Sequence, residues 1–318
     1  MKKARMTICL AVVCVMAAVN FASADIIREI NIDFVTIGNA GNPGDTRTGT
    51  DEYGQPLADP YGCGAVGYNY RIGKYEVTNA QWNAFTTAAG APTGNTVEYG
   101  DNPYDEDAAY TGDRQPTNNV SWYEAVQFCN YLTSGDKSKG AYLFSGNNSN
   151  PGDFQGVNRT AAQASYGTIY VLPTEDEWYK AAYFKPDASG YSLYANGTDT
   201  PPDAGVQSNW NDVIGSPWDV HEDNDTMEQN GTFDMMGNVW EWNDTEILYA
   251  YYSGRILRGG SYTAIIGTGN GLGSSYRGDA SRYYEDSGAG FRIASIPEPA
   301  TLFLLGLGGL ALLRKRRT

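Results

Sequence analysis

Cysteine, histidine and carboxylate are the side chains that could do chemistry here, and their numbers are lopsided: four cysteines, one histidine, and 37 Asp and Glu against 22 Lys and Arg. Cys9 and Cys14 lie in an N-terminal segment that export removes, so the mature chain keeps Cys63 and Cys129. An oxidising compartment permits a disulfide between these two, and a buried thiol at each position is the other reading. His221 is the sole histidine, which excludes any metal site needing two or three imidazoles. A Ser-His-Asp relay would have to use it. It sits, however, in the acidic run Asp219-Val220-His221-Glu222-Asp223-Asn224-Asp225, where a solvated histidine fits better. That run also lacks the ligand spacing of an EF-hand. Carboxylates are too plentiful for any pair to stand out as an acid and base for glycoside cleavage. Arg258, Arg277, Arg282 and Arg292 can hold carboxylates such as Glu76, Glu177 and Glu241 through two-pronged pairs, which is structural work.

The two ends are addresses. Met1-Lys2-Lys3-Ala4-Arg5 is basic, and an apolar run from Met6 to Val19 ends near Phe21-Ala22-Ser23-Ala24. Residues 1–24 read as a signal peptide, with Ala22 and Ala24 as the small residues before a cut at Asp25. The apolar run is shorter than the roughly 20 residues that span a bilayer. At the other end, Ile296-Pro297-Glu298-Pro299 leads into apolar residues 300–313 and then Arg314-Lys315-Arg316-Arg317. Basic residues directly after an apolar segment stay on the cytoplasmic side. The tail, 297–318, is therefore expected to stop translocation and to hold the chain at the inner membrane transiently through a short transmembrane segment. It resembles the PEP-CTERM sorting signal of Gram-negative bacteria. That resemblance implies recognition by an exosortase, cleavage near Pro297-Glu298-Pro299, and delivery to the cell surface or extracellular matrix. The partners at this stage are the export machinery and the exosortase.

Removing both ends leaves about 270 residues, 25–296, within the reach of one large domain. The ends hold seven basic residues against one acidic, so the formal charge passes from −15 for the chain to −21 for the mature part. Such a surface repels nucleic acid and anionic lipid. Cations, neutral glycans and basic proteins suit it.

Ile26 to Ile37 alternates apolar and polar residues and reads as a strand, as does Tyr68 to Val77. Thr78 can cap a helix from Asn79 to about Ala88, with Trp82 and Phe85 on one buried face. Ser121 with Glu124, and Thr174 with Glu177, form capping-box patterns ahead of helices that start at Trp122 and before Trp178. Gly90 to Asn119, Gly135 to Ser165 and Ala188 to Gly231 show no sustained periodicity and read as long loops, which compact domains keep mainly for function. The fold class is α+β and loop-rich.

Five segments then stand in order: Tyr70 to Asn79, Pro116 to Ala125 around Val120-Ser121-Trp122, Leu172 to Trp178, Met236-Gly237-Asn238-Val239-Trp240-Glu241-Trp242, and Arg258-Gly259-Gly260-Ser261-Tyr262 closing at Gly290-Phe291-Arg292. Together they resemble the formylglycine-generating-enzyme family, also called the sulfatase-modifying-factor family, over about Ile32 to Ile293. The resemblance implies a compact, loop-rich fold related to C-type lectins, in which Trp178, Trp240 and Trp242 would anchor the core. It also implies copper chemistry at a cysteine pair just after Arg-Gly-Gly-Ser, since copper(I) needs soft thiolates. This chain reads Thr263 to Gly273 there without a cysteine, so copper and formylglycine-generating oxidase activity are not expected. The iron-dependent, ergothioneine-synthase-type branch of the family needs histidines and a helical domain that this chain lacks. Structural calcium survives the comparison. It would take oxygens of Asn209, Asn238 and Glu241, and a stabilising effect of calcium is expected. The chain therefore reads as an exported, surface-sorted module that binds a polysaccharide or protein ligand, with a divergent oxidoreductase acting on a protein as the alternative.

Overall fold

The computed structural model describes residues 23–50, 56, 61–97, 100–220, 226–248, 253–265 and 271–298. Ala22, His221, Pro299 and the apolar tail lie outside the described residues.

The first expected strand is a hairpin instead. Strands β1 (Ser23–Ile27) and β2 (Ile30–Ile37) pair antiparallel, with Ile27 opposite Ile30. Between them Arg28 and Glu29 have φ of 49° and 69°, and positive φ at both central positions is what a two-residue turn between twisted strands demands. Neither residue type favours that conformation. Arg28 is held in it by donating to the carbonyls of Leu132 and Thr133 at 3.2 and 3.3 Å. Strand β3 is only Tyr70–Gly73, the first part of the expected run. Beyond it the Gly73 and Val77 amides donate irregularly to Ile293 and Phe291.

Helix α1 (Asn79–Ala89) starts at Thr78 with a complete capping box, and α2 (Trp122–Ser134) does the same at Ser121. Their apolar faces meet through rings: Trp82 lies 5.3 Å from Phe85 and 5.9 Å from Phe128, and Phe291 closes the cluster. The stretch expected to be a loop after Gly135 holds a hairpin of β4 (Tyr142–Phe144) and β5 (Phe154–Val157), and a short helix, α3 (Arg159–Tyr166). Helix α3 buries only Ala162, so it has no apolar stripe to announce it. Asn158 caps it by accepting from the Ala161 amide at 2.9 Å. Strand β6 (Ile169–Val171) leads to α4 (Glu175–Tyr183), capped by Thr174 with Glu177. The long segment after α4 is tied back by Gln229 and Asn230, whose amides donate to the carbonyls of Ala181, Ala182 and Phe184. A helix end leaves such carbonyls without partners.

Four further strands follow: β7 (Trp240–Leu248), β8 (Ser253–Arg258), β9 (Gly278–Ser281) and the two-residue β10 (Ala289–Gly290), before β11 (Ala294–Ile296). One sheet has the order β1-β2-β3-β11-β6, a second β10-β7-β8-β9, and the β4–β5 hairpin is a third. The core between sheets and helices is rich in rings, with Trp122, Trp178 and Trp242 fully enclosed. Trp240 is only half-buried. It packs against the core and also walls a groove. The loop-rich α+β reading holds.

Candidate functional site

A left-handed turn sets up the second sheet. Gly237 and Asn238 have φ of 82° and 59°, and a Cβ on Gly237 would stand 2.1 Å from the carbonyl oxygen of Asn209. Only glycine fits there. The turn buries Asn238, whose amide nitrogen donates to Glu76 at 2.6 Å while its oxygen accepts from the Trp218 amide and from the Asn209 side chain. Burial, then the charges of Asp234 and Glu241, hold the Glu76 carboxyl well above the usual carboxylate range. Three residues after Asn238, the Glu241 carboxylate accepts from Arg292 through both oxygens at 2.6 Å, and from the Trp178 indole at 2.6 Å.

These contacts decide how well the three expected calcium ligands fit an ion. Glu241 faces a guanidinium, whose charge repels a cation, and the oxygen of Asn238 already accepts two N–H groups. Asn209 keeps one buried oxygen without a partner. One neutral oxygen is fewer than the six to eight that calcium takes, so these side chains would have to rearrange to hold the ion. Among the described residues, no group of three or more His, Cys, Asp or Glu side chains could hold a metal.

The arginines choose other carboxylates than those expected. Arg258 and Arg277 both grip Glu175, and Arg159 bridges Glu177 and Asp244. Arg282 lies over the rings of Tyr123 and Phe154. Only the Glu241 pairing was among the candidates, because burial chooses partners by three-dimensional proximity. Cys63 and Cys129 are both buried and are not joined in a disulfide. Cys63 lies 3.8 Å from Arg258, whereas Cys129 is enclosed on α2 near Asp244 and Arg159, and burial pushes its thiol well up.

On the other side of β7, an open groove of about 440 Å³ runs along the second sheet. Trp240, Tyr276 and Tyr284 bring rings to it, Ser261 and Thr263 hydroxyls, and Asp279 and Asp286 carboxylates. Trp240 and Tyr276 stand 5.7 Å apart, and Tyr284 is 41% exposed. Two glycines let the backbone press on Trp240: a Cβ at Gly271 would meet its ring at 2.8 Å and one at Gly278 at 3.3 Å. Burial and the neighbouring Asp286 push the Tyr284 hydroxyl up to about 12, so it remains a donor at neutral pH. Ser261 and Thr263 hydroxyls lie 3.0 Å apart. Neither Trp240 nor Tyr284 was singled out from sequence as a site residue. The only signal for them was the density of rings.

Residues 43–296 match the sulfatase-modifying factor enzyme 1-like domain, and residues 295–317 match the PEP-CTERM protein-sorting motif. The chain belongs to the sulfatase-modifying factor family. It is 25% identical over 226 residues to the chaperone protein LppX of Paenibacillus barcinonensis, covering 63% of this chain and 71% of that protein. Solved structures carry the same fold. CarF has 23% identity, covers 83% of this chain and 97% of its own, and has a TM-score of 0.57. Variable protein 1 of Treponema denticola has 22% identity, 84% and 96% coverage and a TM-score of 0.53. PvdO from Pseudomonas aeruginosa has 17% identity, 84% and 95% coverage and a TM-score of 0.54. The fold is thus the formylglycine-generating-enzyme-like one, related to C-type lectins. The family's sorting-tagged member here has an exported design, with exosortase-dependent, membrane-linked sorting implied by its motif. The family resemblance implies a reactive cysteine pair just after Arg-Gly-Gly-Ser. In this chain that segment borders the groove through Ser261 and Thr263 and presses Gly271 on Trp240.

Proposed function

We propose that the mature domain is a non-catalytic binding module working at the cell surface or in the matrix, and that its groove takes a neutral polysaccharide. The observation that supports this most is the exchange of chemistry at one place: rings, hydroxyls and carboxylates stand beside the segment where the family keeps its thiols. A sugar ring has an apolar C–H face and a polar rim. Aromatic faces carry negative quadrupole charge that attracts the C–H groups, and a concave site with a few fixed polar groups sets orientation. The mature charge of −21 disfavours acidic glycans.

Titration of the purified domain with neutral oligosaccharides, followed by calorimetry, tests the reading. Binding that Tyr284→Ala and Trp240→Ala abolish supports it, and no binding across a neutral glycan array sinks it. Incubation with copper and a cysteine-containing sulfatase-motif peptide tests the oxidase alternative. A mass loss marking conversion of the cysteine to an aldehyde would replace the binding reading with an enzymatic one.

A further inference from the structure

The sorting triplet begins one residue after a structural strand. Ile296 is paired with Ile169 in β11–β6, and β11 is bonded on its other side to β3. The carbonyl of the next residue, Pro297, accepts from the Gln163 side chain of α3 at 2.9 Å. Glu298 lies against the end of the same helix, so closely that a Cβ on Gly167 would stand 2.6 Å from its carboxylate. Helix α3 is itself a fixed base, because Arg159 ties its first turn to Glu177 and Asp244 at 3.0 Å each.

We propose that α3 is a latch that holds Pro297 and Glu298 on the domain, and that exosortase cleaves only after this latch opens. A peptidase reads an extended segment by pairing with its backbone, as strand-adding receptors do. In the latched state the Pro297 carbonyl is already taken by Gln163 and Ile296 is taken by the sheet. The latch is also weak. One side-chain hydrogen bond holds it, and the carboxylate of Glu298 sits at a helix C-terminus, where the helix dipole disfavours negative charge. Opening need not disturb the core. Pro297 and Glu298 form one wall of a cavity of about 590 Å³ whose other walls include Tyr68, Asn69 and Thr160, so they can leave without unpacking β11. The inference rests on cleavage at the triplet and is independent of the ligand read for the groove.

The full-length chain, expressed with exosortase in an exporting host, provides the test by pulse-chase of tail loss. Gln163→Ala is expected to speed tail loss roughly two- to tenfold, the factor that one net hydrogen bond supplies. Four Gly-Ser residues inserted between Ile296 and Pro297 are expected to speed it at least as much. Amide exchange in purified full-length protein is expected to rise at Ile296 and Glu298 in Gln163→Ala while the melting temperature stays put. Unchanged or slower tail loss in both variants overturns the latch. Tail loss in neither variant nor the parent overturns it too, because raised exchange would show the latch open with no cleavage following. A drop in melting temperature with unchanged exchange at Ile296 and Glu298 also overturns it.

Discussion

The guanidinium of Arg292 donates to both oxygens of the Glu241 carboxylate at 2.6 Å, and neither side chain reaches solvent. Arg292 also donates to the carbonyls of Gly73 and Phe233, so one guanidinium joins the two sheets' segments through a single charge. Removing one partner strands the other in a low-dielectric interior. Glu241→Gln and Arg292→Met are each expected to cost about 3–5 kcal/mol, and Arg292→Lys nearly as much, because an ammonium cannot bridge both oxygens. Urea unfolding of the three variants checks this. A loss under 1 kcal/mol in all three contradicts the pair's role.

Stability is expected to fall as pH rises. Burial pushes the enclosed Glu228 up to about 8 and the half-buried Glu285 up to about 7, and it raises Glu76 and Glu124 as well. A carboxyl raised in the folded state keeps its proton there after the unfolded chain has released it. Between the ordinary carboxylate range and about pH 8 the folded state holds more protons, and each fully enclosed group lowers stability by up to about 1.4 kcal/mol per pH unit, the half-exposed Glu285 by less because solvent screens it. Urea midpoints should therefore decline from pH 5 to pH 8. Glu228→Gln should flatten that slope, and a midpoint that climbs over this range would count against the buried acids.

Gly271→Ala should damage the groove more than the fold. Its φ of 84° strains any side chain, and the new Cβ would meet Gly260 at 2.5 Å and the Trp240 ring at 2.8 Å. The ring must shift. Near-ultraviolet circular dichroism should report an altered tryptophan environment, with far-ultraviolet spectra unchanged and oligosaccharide affinity reduced.

The three capping boxes should not be equal. Ser121 accepts from the Glu124 amide and also donates to the carbonyl of Pro103 at 2.7 Å, whereas Thr78 makes only its helix contact among the bonds described. Ser121→Ala is expected to cost about 1–2 kcal/mol and Thr78→Ala about half that. Equal losses in urea unfolding would show that the Pro103 bond adds nothing.

How much of this was legible depended on range. Capping boxes work over three residues, so Thr78, Ser121 and Thr174 announced α1, α2 and α4 to within a residue or two. The β1–β2 turn did not show, because its positive φ falls on Arg28 and Glu29 and is imposed by carbonyls more than a hundred residues away. Helix α3 was hidden by its single buried residue. In the site, family-ordered segments pointed to the right turn at Gly237 and Asn238, but they could not say that Glu241 faces Arg292 instead of a cation. Nor could they show that Trp240, packed against the core, also lines a groove. Those outcomes depend on which chain segments meet, and local pattern carries no record of that.

Strand β11 lies between β3 and β6 in a sheet whose other members were all made earlier. A chain emerging from an export channel N-terminus first can fold its leading hairpin and helices as they appear, but β6 has no bonded neighbour in its sheet until Ala294–Ile296 arrives. Closure of the sheet therefore waits for the stretch that directly precedes the sorting triplet. A chain halted a few residues short would leave two unpaired strand edges, on β3 and β6, for any sticky neighbour to find.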